Sequence, residues 1–139
     1  MATYNCADTV EKSIDSILAQ TYENWVMIIC DDGSSDNTLE ILHRYKKAHP
    51  DKFVIIQNDC NRKLPYSLNH CLKYVRTELV ARMDGDDWST PDRFEKQVTF
   101  LKTHPEYDLV GTGVTVFDGK KNIASIMFNG ALLCNYKNA

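Results

Sequence analysis

Trp25-Val26-Met27-Ile28-Ile29-Cys30 runs directly into Asp31-Asp32-Gly33-Ser34. An apolar run that ends in two acids and a turn reads as a buried strand opening onto a polar site. The pattern occurs again: Leu79-Val80-Ala81-Arg82-Met83 feeds Asp84-Gly85-Asp86-Asp87. In open α/β sheets ligands bind just beyond the carboxyl ends of strands. Two acidic clusters delivered to one sheet edge therefore predict a site for a cation and a polar ligand.

Outward from these two stretches, strands and helices alternate. Val10, Ile14, Ile17 and Leu18 share one helical face, and Asp8 with Glu11 three residues on forms a variant capping box. After the strand at about 25–30, Ser35 or Asp36 caps a helix carrying Leu39, Ile41, Leu42 and Tyr45, which stops before Pro50. Phe53-Val54-Ile55-Ile56 is a third strand, followed by a polar loop over 58–64. Pro65 starts a helix whose inner face holds Leu68, Cys71, Leu72 and Val75. A fourth strand spans about 79–83. Thr90-Pro91-Asp92 opens a further helix with Phe94, Val98 and Leu101 as its apolar face, ended by His104-Pro105. Leu109-Val110 and Val114-Thr115-Val116-Phe117 are strands, with Asp118-Gly119 as a hairpin turn into 122–128. This rhythm predicts an α/β fold with a mostly parallel sheet and helical crossovers, organised as one domain over 1–139.

The totals narrow the function classes. With 139 residues, 16 basic and 19 acidic side chains, a formal charge of −3 and 43% hydrophobic residues, the chain is an ordinary globular composition. Nothing is basic enough to point to nucleic acid, and no apolar run approaches the roughly 20 residues that span a bilayer. The sequence reads as lacking a signal peptide, since Met1 leads straight into Ala2-Thr3-Tyr4-Asn5. Cys6, Cys30, Cys60, Cys71 and Cys134 are scattered and form no CxxC pair. They read as small buried hydrophobes in a reducing cytoplasm.

Asp84, Asp86 and Asp87 place three carboxylates within four residues, an arrangement that repels itself unless a positive charge sits among them. In an extended segment Asp84 and Asp86 address one ligand while Asp87 turns toward the scaffold. Hard oxygen donors suit Mg²⁺ or Mn²⁺, held by one or two carboxylates plus substrate phosphates. The spacing and terminal Glu of a calcium loop are absent. Asp31-Asp32-Gly33-Ser34 is also compatible with plain turn and capping chemistry. An ionised Asp at a strand end, however, accepts hydrogen bonds from a base N–H or from ribose hydroxyls.

These residues together resemble the family 2 glycosyltransferases, which adopt the GT-A fold and use nucleotide-diphospho-sugars. Ala2-Thr3-Tyr4-Asn5 resembles the end of their first strand, and Asp31-Asp32-Gly33-Ser34-Ser35-Asp36 their nucleotide motif. Ser67-Leu68-Asn69 resembles the segment before their third crossover helix. Met83-Asp84-Gly85-Asp86-Asp87 with Pro91-Asp92-Arg93 resembles their DxD metal motif. The flavour is that of bacterial enzymes of cell-surface polysaccharide biosynthesis.

The resemblance implies that Thr3 and Tyr4 border the nucleobase, with Tyr4 packing near the ring. Asp32 binds the base N–H with support from Asp31, Asp84 lies near ribose and metal, and Asp86 coordinates a divalent Mn²⁺ or Mg²⁺. Arg62 or Lys63 approaches the nucleotide or remains a solvated loop charge; Arg82 is a weaker candidate, and Trp88 packs beneath the loop. The implied reaction is inverting transfer from a nucleotide-diphospho-sugar, most often a UDP-sugar, to a saccharide or lipid-linked acceptor. The implied place is the cytoplasm or the inner face of the membrane, with any membrane association through the parent protein.

Two departures from the family pattern bear on catalysis. The family's base follows the DxD motif at a distance, whereas no Asp or Glu occurs after Asp118, so the base is expected downstream of Ala139. The first strand, central in the family sheet, is short here. The expectation is a donor-binding portion, truncated at both ends, with the acceptor half absent. A non-catalytic nucleotide-sugar-binding module shares every motif. Phosphotransfer receivers and aspartyl-phosphatases do not: Tyr4-Asn5 stands where a phosphatase nucleophile belongs, and no receiver lysine follows a later strand. A sugar nucleotidyltransferase lacks its Gly-rich triphosphate loop here.

Overall fold

The computed structural model describes residues 1–117 and 121–126. It divides into two compact units, Met1–Phe94 and Glu95–Ala139. The first unit contains β1 (Ala2–Thr3), α1 (Val10–Leu18), β2 (Met27–Asp31), α2 (Thr38–Ala48), β3 (Phe53–Gln57) and α3 (Leu64–Leu72). The three strands form a parallel sheet in the order β1-β2-β3. Ala2 pairs with Cys30 and Thr3 with Asp31, while Met27 through Asp31 pair with Phe53 through Gln57.

Strand alternation sorts the apolar residues onto two faces. Met27, Ile29 and Phe53 pack with Val10, Ile14 and Ile17 of α1, Ile41 and Leu42 of α2, and Met83. Cys30 and Ile56 pack on the other face with Cys71 of α3, flanked by Ile28 and Val54. Parallel strands covered on both sides explain why β2 and β3 read as continuous apolar runs. β2 begins two residues later than expected: Trp25 lies before it and packs edge-on against Phe53, ring centroids 6.2 Å apart.

Several sequence expectations are corrected. Residues 79–83 form no strand among the described residues. The chain passes close to β1 at Gly85, but β1 offers only Ala2–Thr3 as a ladder. Arg82 gives its carbonyl to Arg93 Nη2 instead, at 2.8 Å. Leu79 and Val80 are exposed and only Met83 enters the core. Consequently β1 is an edge strand of the described sheet and β2 its centre.

The Asp8–Glu11 capping box does not form. Thr9 is the N-cap of α1, and Glu11 pairs with Arg44. At α2 the N-cap is Asn37, and Asp36 Oδ1 accepts the Thr38 amide at 3.0 Å. Leu72 lies exposed rather than on the inner face of α3, where Ser67 and Cys71 are buried.

The second unit contains α4 (Arg93–Thr103), within which the division falls, and β4 (Val114–Phe117) paired antiparallel with β5 (Asn122–Ile126). α4 starts after Thr90-Pro91-Asp92 rather than on it, and Leu109-Val110 is not a strand. The Asp118-Gly119 turn, residues 127–128 and Cys134 lie outside the described residues. No helix among the described residues is long and apolar enough to cross a membrane.

Candidate functional site

The carboxyl ends of β1 and β2 are tied together by the backbone. Asp32, the residue after β2, donates its amide to the Thr3 carbonyl at 2.8 Å. Asp31 is fully buried and closes the turn: Oδ2 accepts the Ser34 amide at 3.0 Å and Oδ1 the Ser34 hydroxyl at 2.5 Å. Asn5 locks the turn to β1 from a left-handed conformation at φ 49°. Its amide donates to Ser34 Oγ at 3.0 Å, and its Oδ1 accepts the Ser35 amide at 2.8 Å. Gly33 sits at φ 74°, where an added Cβ would lie 2.9 Å from the backbone of Cys60, so the turn admits only glycine.

Asp32 organises the loop between β3 and α3. Its Oδ1 accepts from Asn58 Nδ2 at 2.7 Å and from the Arg62 amide at 2.9 Å; its Oδ2 accepts the Lys63 amide at 2.8 Å. Asn58 Nδ2 also donates to Ser67 Oγ at 2.9 Å, and Asn58 Oδ1 lies 2.9 Å from His70 Nδ1. Burial pushes the Asp32 carboxyl up, but the bonds from Asn58, the Arg62 amide, Ser67 and the Lys63 amide together hold it below the usual carboxylate value. These four donors match the four acceptor positions of the carboxylate. Lys63 is held at φ 73°, ψ 158°, a region that glycine almost alone occupies and that costs other residues about 1–3 kcal/mol.

The second acidic cluster is positioned by a polar stripe on α1 rather than by a strand. Thr9 Oγ1 donates to the Gly85 carbonyl at 2.9 Å and Ser13 Oγ to the Asp84 carbonyl at 3.0 Å. Ser16 Oγ accepts the Ser89 amide at 3.0 Å. Gln20 Nε2 donates to the Thr90 carbonyl at 2.7 Å while its Oε1 accepts the Phe94 amide at 2.9 Å. Positions 9, 13, 16 and 20 recur at helical spacing on one face. Gly85 fits closely: an added Cβ would lie 3.1 Å from Cys6 Sγ and 3.2 Å from Thr3 Cγ2.

Between these parts lies a cleft of about 590 Å³, which Thr3, Tyr4, Asp32, Lys63, Asp84 and Asp86 help to line. Asp8 adds a fourth carboxylate, against the single cation of Lys63 among the described lining residues. Arg82 Nη2 binds both oxygens of Asp84, at 2.9 and 2.8 Å, in a solvent-exposed pair of small energetic weight. The Asp86 carboxylate is exposed and makes no hydrogen bond or ion pair among the described residues. Partial burial, then repulsion from Asp86 and Asp84, hold the Asp87 carboxyl above its usual value.

That uncompensated negative charge fits a divalent cation, and Asp84 and Asp86 are hard oxygen donors suited to Mg²⁺ or Mn²⁺. No group of three or more His, Cys, Asp or Glu side chains is assembled as a metal site among the described residues. Two carboxylates of the cleft would leave the remaining coordination positions to a ligand's phosphates and water.

Of the residues singled out from sequence, Thr3, Tyr4, Asp32, Asp84 and Asp86 share the cleft and Asp31 does not line it. Thr3 has its side chain buried, while the Tyr4 ring is half exposed. Lys63 lines the cleft, whereas Arg62 stands over the Tyr66 ring at 5.5 Å. Trp88 is not packed beneath the loop; it is half exposed with Lys12 Nζ over its ring at 3.4 Å. Cys60 is exposed, against the expectation of burial, while Cys30 and Cys71 are buried and burial pushes the Cys30 thiol up to about 11.

Sequence reasoning missed Asn5, Asn58 and the α1 stripe. An Asn just after a strand is a signal for the left-handed region, and hydroxyls spaced 4 and 3 apart along the helix were a signal for the stripe.

Comparison with known proteins agrees with this geometry. The glycosyl transferase family 2 model matches residues 1–136. The chain is 51% identical over 118 residues to the "Putative glycosyltransferase EpsE" of Bacillus subtilis, covering 85% of this chain and 42% of that protein. It is 32% identical over 124 residues to the Escherichia coli UDP-Glc:alpha-D-GlcNAc-diphosphoundecaprenol beta-1,3-glucosyltransferase WfaP, covering 82% of this chain and 48% of that one. The chain thus spans less than half the length of these two curated relatives.

Among solved structures, S. aureus TarS 1-349 in complex with UDP superposes with a TM-score of 0.76 at 24% identity, over 86% of this chain and 36% of that one, a likeness of fold. The mannosyltransferase PcManGT from Pyrobaculum calidifontis, in complex with GDP-Man and Mn2+, does so with a TM-score of 0.68 at 26% identity, over 84% and 33%. The parallel sheet, the acidic clusters at its carboxyl edge and a family match over nearly the whole length lead to one assignment: an α/β chain of GT-A fold that belongs to glycosyl transferase family 2.

Proposed function

We propose that residues 1–139 form the donor-binding domain of a glycosyltransferase that takes a nucleotide-diphospho-sugar, with a UDP-sugar as the favoured donor. The carrying observation is the convergence of Asp32, Asp84 and Asp86 on one cleft, beside the half-exposed ring of Tyr4. The uridine preference is supported by the relative WfaP, whose name specifies UDP-Glc. The name of WfaP specifies a GlcNAc-diphosphoundecaprenol and supports a saccharide or lipid-linked acceptor; the setting in this reading is bacterial cell-surface polysaccharide assembly in the cytoplasm or at the inner face of the membrane.

In this reading Thr3 and Tyr4 border the base, Asp32 accepts the base N–H in place of one of its loop donors, and Asp31 keeps the turn closed. Asp84 and Asp86 would hold a divalent cation, Mn²⁺ or Mg²⁺, which when bound would supply Lewis-acid stabilisation of the diphosphate's negative charge. The Mn2+ complex of PcManGT supports that choice of metal. Transfer is inverting, with Asp32 assigned to the donor and Asp84 and Asp86 to the cation.

A thermal-shift comparison of UDP, GDP and ADP, each with Mn²⁺, tests the assignment. UDP is expected to raise the melting temperature most, since a ligand at 100 times its Kd adds about 2.7 kcal/mol. No shift with any of the three would contradict it.

A further inference from the structure

Asn58 joins Asp32 to helix α3 through a side-chain amide that is buried and whose orientation its neighbours dictate. Its Nδ2 donates to Asp32 Oδ1 at 2.7 Å and to Ser67 Oγ at 2.9 Å. Its Oδ1 therefore faces the other way, where His70 Nδ1 lies at 2.9 Å. A reversed amide would set its oxygen against the Asp32 carboxylate, which only accepts. A carbonyl oxygen also only accepts. His70 Nδ1 thus carries the hydrogen and donates it, whether or not Nε2 is protonated too.

Ser67 and His70 stand three positions apart, so one face of α3 presents both the acceptor for Asn58 Nδ2 and the donor for Asn58 Oδ1. The His70 ring is half-buried, with Tyr66 and Tyr74 one turn to either side at centroid distances of 6.2 and 5.9 Å. Cys30 Sγ of β2 lies 4.0 Å from the same Nδ1, a much longer contact than the one to Asn58. The path of the loop does not need this bond, because the Asn58 backbone amide is anchored separately on the Asp31 carbonyl at 2.8 Å. What His70 fixes is the direction of the Asn58 side chain. The bonds from His70 to Asn58 to Asp32 run unbroken from α3 to the cleft, and each polarises the next.

We propose that His70 is a positioning residue for the donor: by donating from Nδ1 to Asn58 it holds the amide that aims Asp32, and so sets the affinity for the base. The inference rests on the reading of Asp32 as the acceptor of the base N–H. In that reading the carboxylate exchanges a loop donor for the base, and it must keep its place while it does so. Asn58, pinned by His70 on one side and Ser67 on the other, is the donor that stays. Without the Nδ1 hydrogen, the buried Asn58 oxygen loses its donor, the amide is released to turn, and Asp32 loses the bond that orients Oδ1. Asp84 and Asp86 take no part in this chain of bonds, so the cation end of the cleft is unaffected.

The test joins nitrogen NMR of the His70 ring in the native chain with calorimetric titration of UDP and of uridine, both with Mn²⁺. The variants are His70→Leu, which has no donor, and His70→Asn, whose Nδ2 takes the place of the ring Nδ1. The native ring is expected to carry its hydrogen on Nδ1. His70→Leu is expected to bind UDP and uridine alike about 5- to 10-fold more weakly, the loss of one hydrogen bond, with Mn²⁺ affinity in the absence of nucleotide unchanged. His70→Asn is expected to restore most of the lost affinity. UDP binding by His70→Leu at native strength would overturn the role of His70 and leave the donor site standing. Binding by His70→Asn as weak as by His70→Leu would overturn it too, showing that the ring acts by packing. A native ring with Nδ1 bare overturns it without any variant, and so decides the case even where His70→Leu does not fold. A native chain that binds neither UDP nor GDP would overturn both readings.

Discussion

Ser13 Oγ donates to the carbonyl of Asp84 at 3.0 Å, joining the first helix to the acidic loop across 71 positions of sequence. Ser13 is 1% exposed, so its removal leaves that carbonyl without its protein donor. Ser13→Ala is expected to lower stability by about 1 kcal/mol and to weaken Mn²⁺-dependent nucleotide binding on the order of 10-fold, as loss of a group supporting metal ligands does. Urea unfolding and Mn²⁺ titration check the two effects separately. Reduced stability with unchanged Mn²⁺ dependence would make the stripe on α1 purely structural.

Asp32 makes the fold acid-labile in a defined direction. Its folded carboxyl titrates below the ordinary value, so the unfolded chain takes up the proton first as pH falls. The stability it contributes is complete at neutral pH, begins to fall near the ordinary carboxylate value of about 4, and is gone below the folded value. Asp32→Asn keeps one acceptor oxygen for the donors of the 58–63 loop and lacks this dependence. Urea unfolding at pH 7 and pH 3 is expected to show a large native-to-variant difference at the higher pH and a small one at the lower.

Gly33→Ala meets two obstacles, a φ of 74° and a Cβ 2.9 Å from the Cys60 backbone. The expected loss is about 1–3 kcal/mol from the conformation, increased by the displacement of the 58–63 loop. Weakened UDP binding is expected to accompany it, because that loop carries the partners of Asp32. A denaturation midpoint equal to that of the native chain would contradict the turn geometry.

Thiol reactivity reports the two-faced core. Cys60 is exposed, whereas Cys30 and Cys71 are buried on the α3 face of the sheet, with burial raising both thiols. Labelling at pH 8 followed by peptide mapping is expected to find Cys60 modified rapidly, and Cys30 and Cys71 only on unfolding. Comparable rates for Cys30 and Cys60 would show that the α3 layer does not cover the sheet.

The α/β class was legible because buried parallel strands are apolar on both faces and α1 keeps strict helical spacing at Val10, Ile14 and Ile17. The same rule misread 79–83: an apolar run reports a tendency to be buried, not the presence of a ladder partner, and β1 offers two residues. The resemblance implied that Asp32 binds and Asp31 supports, but the bonds through which each acts were not legible. Which carboxylate is buried in a turn, and which holds the 58–63 loop, depends on long-range bonds to Asn58, Arg62 and Lys63. The strain at Lys63 left no mark in composition or spacing, since nothing about a lysine announces a left-handed backbone.

The central claim is that the cleft binds a nucleoside diphosphate through a cation held by Asp86. Calorimetric titration of UDP, with and without Mn²⁺, on the native chain and on Asp86→Ala tests it most directly. Asp86 is exposed at the cleft, so the variant is expected to fold normally. The account predicts metal-dependent UDP binding by the native chain that is lost in Asp86→Ala; UDP binding of equal strength in both chains and without metal would contradict it.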